Sequence, residues 1–217
     1  MNGRVFLSLM LFVLLTSCSV RQGPPEISGR RDSGGCASPQ CPAFFPDGKW
    51  QFVHSIGFHM AGGGDGTAVG VLALDKDAIR CVLTTVEGLV LFQAQWTEGE
   101  PVMVSRAIPP FDNQEFAAGL MADVRTIFRR PEGKEEWGQL PGGAPVFRFS
   151  DAGLVTDVMP QDDGCWSIRT YGGRDRTVHA RLCKTVDAAI IPEDIDLVSG
   201  GPSGYSLTLH LISAEKL

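Results

Sequence analysis

The sequence has no CxxC and no HxxxH, and its four histidines (His54, His59, His179, His210) are scattered. The compact ligand spacings of a zinc or redox centre are therefore missing. It has no GxSxG, and no Ser, His and Asp set at a recognisable spacing, so the common nucleophilic hydrolases are excluded. Its carboxylate pairs, Asp162-Asp163, Glu135-Glu136 and Glu193-Asp194, fall at turns and read as solvated charge. No enzyme activity, metal or other cofactor is expected. Basic residues are in deficit, 19 Lys+Arg against 25 Asp+Glu for a net charge of −6. No basic stripe with interleaved aromatics exists, which excludes nucleic acid as a partner. The glycine run Gly62-Gly63-Gly64-Asp65-Gly66 is not followed by Gly-Lys-Ser and joins two strand-like stretches, so it reads as a hairpin loop and not a phosphate cradle. No period of 20–50 residues repeats. The apolar run at 5–15 reaches only about 16 Å as a helix, half of a bilayer core.

That short run follows Arg4 and makes residues 1–17 a signal peptide. It ends in Leu15-Thr16-Ser17-Cys18, which resembles the lipobox of bacterial lipoproteins. The resemblance implies that Cys18 is lipidated and becomes the new N-terminus. Ser19 stands where an aspartate would favour the inner membrane, so the expected location is the outer membrane, facing the periplasm. Several acyl chains, at about 0.8 kcal/mol per buried CH₂, make a firm membrane anchor. Residues 18–48, rich in Gly, Pro, Ser and Arg, read as a flexible tether, and residues 49–217 as one folded domain.

Five cysteines remain beyond Cys18, in an oxidising compartment. Gly172-Gly173-Arg174-Asp175 reads as a turn midway between Cys165 and Cys183. A hairpin folded there places the two cysteines opposite each other, within disulfide reach. Cys36 and Cys41 are spaced to close a small local loop, and Cys81 is left as a small buried hydrophobe.

The composition, 43% hydrophobic with 26 glycines and 14 prolines, favours turns over long helices. A first strand spans 51–60, with Phe52, His54, Ile56, Phe58 and Met60 on one face; His54 reads as a hydrogen-bonded core or rim residue. A three-strand meander follows at 67–75, 79–85 and 88–96, with turns at Asp75-Lys76-Asp77 and Glu87-Gly88. Its strands are apolar on both faces, so the sheet must be covered twice or curl around something apolar. Further strands are expected at 101–107, 145–150, 154–159, 165–171, 176–184, 191–197 and 205–213, and the stretch 131–144 as a polar loop. One helix spans 112–130, capped by Asp112 with Glu115 three residues on, its apolar stripe formed by Phe116, Leu120, Val124, Ile127 and Phe128 with Met121 beside it.

The fold class is thus mainly β (α+β), an unclosed barrel of about ten or eleven antiparallel strands with one amphipathic helix in or over its concave side. Such a curl can enclose an oily pocket. The residues expected to line it are Phe52, Ile56, Phe58, Leu72, Leu74, Leu83, Leu89 and Leu91 on strands, and Phe116, Leu120, Val124 and Ile127 on the helix.

The lipobox, the meander Val71-Leu72-Ala73-Leu74 to Phe92 with its Glu87-Gly88 turn, and the ending Pro192-Glu193-Asp194-Ile195-Asp196-Leu197 then Tyr205-Ser206-Leu207-Thr208-Leu209 resemble the LolA/LolB-like superfamily. They also resemble related outer-membrane lipoproteins, some of them linked to aryl-polyene-type gene clusters. The resemblance implies a half-barrel that accepts acyl chains of lipoproteins or similar amphiphiles, with a periplasmic carrier protein as a candidate partner. Two features depart from that pattern. The loop after the first strand carries no protruding apolar residue, and the Cys165–Cys183 hairpin has no counterpart. The alternative is a non-catalytic accessory or scaffold lipoprotein that acts through protein contacts.

Overall fold

Burial alternates residue by residue along 50–54, 68–74, 79–83 and 92–96 of the computed structural model, which describes residues 23–32, 44–201 and 204–217. The signal peptide, Cys18 and the pair Cys36 and Cys41 lie outside the described residues. Among the described residues thirteen strands and one helix form: β1 (Ser28–Asp32), β2 (Trp50–Met60), β3 (Asp65–Leu74), β4 (Ala78–Thr84), β5 (Val90–Thr97), β6 (Met103–Ala107), α1 (Gln114–Phe128), β7 (Lys134–Gln139), β8 (Pro145–Asp151), β9 (Leu154–Pro160), β10 (Trp166–Tyr171), β11 (Arg176–Val186), β12 (Ala189–Ser199) and β13 (Tyr205–Lys216). All belong to one antiparallel sheet, ordered β1-β7-β8-β9-β10-β11-β12-β13-β2-β3-β4-β5-β6. The outermost strands β1 and β6 do not pair with each other, so the barrel stays open.

The curl follows from what the helix touches. Arg125 of α1 lies 4.3 Å from the Trp96 ring on β5. Arg130, two residues past the helix, lies 5.6 Å from the Phe149 ring on β8. Strands β5 and β8 are nine spacings apart in the sheet order; laid flat, that is roughly 43 Å. A single helix with its side chains is only about 10–12 Å across. The sheet must therefore bend around α1, and its concave residues join the helix in one core.

Within the meander the turns form where short polar breaks predict them. Asp75 N–H donates to Ala78 O at 2.9 Å, and Gly88, at φ 88°, closes the next turn with Thr85 O at 3.0 Å. Leu72, Leu74, Ile79, Cys81, Leu83, Phe92 and Ala94 point inward and are buried. The opposite face is not covered: Val69, Val71 and Val82 are half-exposed. Of the two ways to satisfy a doubly apolar sheet, the chain takes the curl.

The strand count exceeds the expected ten or eleven because of two elements with weak patterns. β7 lies inside the stretch expected as a polar loop, and its Glu135 and Glu136 masked it. Glu136 is nonetheless buried, held by Arg30 at 3.3 Å and Lys134 at 3.0 Å. β1 lies inside the expected tether, which is corrected for residues 28–32: they pair with β7. Phe44, also in that stretch, packs on Phe147 with ring centres 6.2 Å apart. On the convex side, Arg148 grips Asp157 through two bonds of 2.6 Å and donates to Pro25 O at 2.8 Å, tying the segment before β1 to the sheet.

The helix begins two residues later than expected, and its cap lies one residue later. Asn113, not Asp112, is the cap, and its side chain accepts from Phe116 N–H at 2.6 Å. Its buried stripe is also rotated, to Ala117, Met121, Val124, Ile127 and Phe128, with Phe116 and Leu120 at its flank.

The disulfide between Cys165 and Cys183 is formed, with Cα atoms 5.4 Å apart. The cysteines are not directly opposite, however. Strand pairing matches Ser167 with His179 and Ile168 with Val178, so the facing position for Cys165 is Arg181. The bridge is diagonal; Leu182, at a left-handed φ of 53°, re-aims the strand just before Cys183.

Candidate functional site

The concave face holds α1 by an apolar seam and two polar ties. Along the seam, Phe128 meets Phe52 with ring centres 5.2 Å apart, and Phe116 meets Phe92 at 5.4 Å. The first tie is Asp123, buried in mid-helix. It accepts from Arg176 Nε on β11 at 2.5 Å and from the Tyr205 hydroxyl on β13. Burial, outweighing the arginine, holds the Asp123 carboxyl above its usual range, and pushes the Tyr205 phenol up to about 12. The second tie is Arg129, just past the helix, donating to Asp75 O at 2.8 Å.

Between the C-terminal end of α1 and the sheet a small hollow remains, about 10 Å³, room for one oxygen-sized group. Phe52 and His54 of β2 line one side and Ile127 and Phe128 of α1 another. Trp166 of β10, Ile190–Pro192 of β12, and Phe44 with Pro46 complete it. Its walls are apolar except at two side chains. His54 is buried beside the Phe52 and Phe128 rings, at 6.1 and 5.7 Å between centres. Burial lowers its pKa to about 4, so it is neutral at ordinary pH. No hydrogen bond to its ring is found among the described residues, which corrects the expectation of a hydrogen-bonded histidine. Trp166 is 1% exposed, and its Nε1–H likewise finds no acceptor among the described residues.

The structure distributes the expected pocket residues unevenly. Phe52, Leu72, Leu74, Leu83, Val124 and Ile127 are in the buried core, and of the twelve only Phe52 and Ile127 reach the hollow. Ile56, Leu91, Phe116 and Leu120 pack half-buried against that core. Leu91 is the extra residue of a bulge, which turns Phe92 inward. Phe58 is half-buried and lies over Gly66, where any Cβ would sit 2.3 Å from the ring. Leu89, before β5, is 52% exposed and away from the interior. Trp166, Phe44 and Ile190–Pro192 escaped sequence reasoning. Trp166 follows a cysteine read only for its disulfide, and Phe44 lay in the expected tether.

Cys81 is buried in β4, and burial pushes its thiol up to about 12, far from a reactive thiolate. Among the described residues, no three His, Cys, Asp or Glu side chains gather in a way that could hold a metal ion. No described helix is long and apolar enough to cross a membrane. The carboxylate pairs are engaged structurally: Asp163 accepts from Cys165 N–H at 2.9 Å, Glu135 pairs with Arg130 at 2.5 Å and Glu193 pairs with Lys184.

No family model matches the chain, and no curated protein matches it. Among solved structures the fold is similar to that of a LolA superfamily protein from Nitrosomonas europaea, with a TM-score of 0.48 and 9% identity. The match covers 81% of this chain and 89% of that one.

Proposed function

We propose that this chain carries or accepts an apolar or acylated ligand, held between α1 and the concave face of the open barrel. One observation supports this most directly: the only helix among the described residues sits inside the curl and is bound to it mainly by exchangeable apolar contacts. An acyl chain buries the same kind of surface, at about 0.8 kcal/mol per CH₂. It can therefore replace helix side chains in the core, with the Asp123 and Arg129 ties and the Arg125–Trp96 contact to release. The unpaired edges β1 and β6 leave the barrel able to widen. In the full reading, Cys18 is acylated and anchors the domain at the outer membrane, facing the periplasm, where it takes part in lipid or lipoprotein trafficking, with a periplasmic carrier protein as donor. No catalytic step is part of it.

The small size of the hollow favours the second reading, a scaffold lipoprotein with a filled interior. Native mass spectrometry of the chain from residue 18 onward, carrying Cys18→Ala, separates the two. The carrier reading expects a co-purified or added amphiphile bound at one per chain. A ligand-free spectrum at saturating amphiphile, with a protein partner recovered by cross-linking, would establish the scaffold instead.

A further inference from the structure

Buried polar groups in folded proteins are nearly always hydrogen-bonded, and an unpaired one is destabilising. Two polar side chains line one hollow here: Trp166, whose buried indole N–H has no partner among the described residues, and His54, whose ring makes no hydrogen bond among them. They come from β10 and β2, strands well separated in the sheet, so one local distortion does not explain both. The remaining lining is aromatic, aliphatic or proline, with no Lys, Arg, Asp or Glu. Nothing in the hollow would compensate a charged headgroup, because burial keeps His54 neutral. The group that fits is a neutral acceptor about one oxygen in size.

We infer that the hollow is the head-end subsite of the ligand, where Trp166 Nε1–H and the His54 ring receive the ester or amide carbonyl oxygen of an acyl chain. This rests on the carrier reading and narrows its ligand: acyl esters and amides are selected over plain alkyl or ether-linked chains. The carbonyl marks where headgroup meets chain. The chain then leaves the hollow along α1, whose Ile127 and Phe128 line it.

The test compares palmitoyl-lysophosphatidylcholine with its hexadecyl-ether analogue, which differs in the carbonyl alone, on the chain from residue 18 onward carrying Cys18→Ala. The ester should bind about ten-fold more tightly, as expected for satisfying a buried donor. In Trp166→Phe the ester should fall to the ether's affinity while the ether is unchanged. In the unsubstituted domain the Trp166 indole N–H resonance should move on ester binding and stay near its free position with the ether. That second readout does not depend on the variant's folding. Equal affinities for the two lipids, or an indole resonance indifferent to the ester, would overturn the subsite and leave the carrier reading intact. Binding of neither lipid would remove the carrier reading and the subsite together.

Discussion

His54 carries a cost that the rest of the core must offset. In the unfolded chain it titrates near 6.5, but in the fold its pKa lies near 4. The folded state therefore binds that proton less readily. The stability contribution is complete above pH 6.5 and is lost as pH falls toward 4, by about 3 kcal/mol in all. The melting temperature of the wild-type domain should drop across that window, and His54→Phe, which keeps a ring between Phe52 and Phe128, should flatten most of the drop. Calorimetry at pH 7, 5.5 and 4.5 measures this; an unchanged slope in the variant would assign the acid sensitivity elsewhere. The face of His54 was legible in the sequence, since it alternates with Phe52 and Ile56. Its missing partner was not, because the hollow is assembled from β2, β10, β12 and α1, segments far apart in the chain.

Among the elements, α1 is set by its cap and its ties. Asn113→Ala removes the bond to Phe116 N–H and should cost about 1 kcal/mol. Asp123→Ala should cost more, about 3 kcal/mol, because it strands a guanidinium that is only 11% exposed. Asp123→Asn can still accept from Arg176 and should be the milder change. Urea unfolding of the three variants gives the order, and a harmless Asp123→Ala would mean the tie does not hold the helix. The Cys165–Cys183 bridge, whose ends are 18 positions apart in sequence, should contribute about 3 kcal/mol, read by unfolding the double alanine variant. Most elements could be read from alternation and turn residues. The two missed strands show what defeats that reading. β7 hides its pattern behind Glu135 and Glu136, which pair with Arg130 and Arg30 from outside the strand and with Lys134 at its start. β1 is too short, and too rich in Arg, to announce itself before β7 pairs with it.

For the whole molecule, the decisive feature is an antiparallel sheet of thirteen strands that bends around one helix without closing. The curl was legible from the excess of apolar residues in the meander, because a flat sheet would leave Val69, Val71 and Val82 on one side and Leu72, Leu74 and Leu83 on the other both without cover. How completely α1 fills the curl was not legible, since side-chain volumes decide it. Anchoring is a separate property with its own check: metabolic labelling with a fatty-acid probe should vanish in Cys18→Ala, and persistent label would refute the lipobox reading. The carrier proposal turns on whether α1 yields its place. Hydrogen–deuterium exchange of the chain from residue 18 onward, carrying Cys18→Ala, measured with and without saturating palmitoyl-lysophosphatidylcholine, asks this directly. We expect the amides of Gln114–Phe128 to lose protection when the lipid is added while β2, β3 and β12 keep theirs. Unchanged protection of that helix at saturating lipid would mean that it is a fixed part of the core and that no chain enters beneath it.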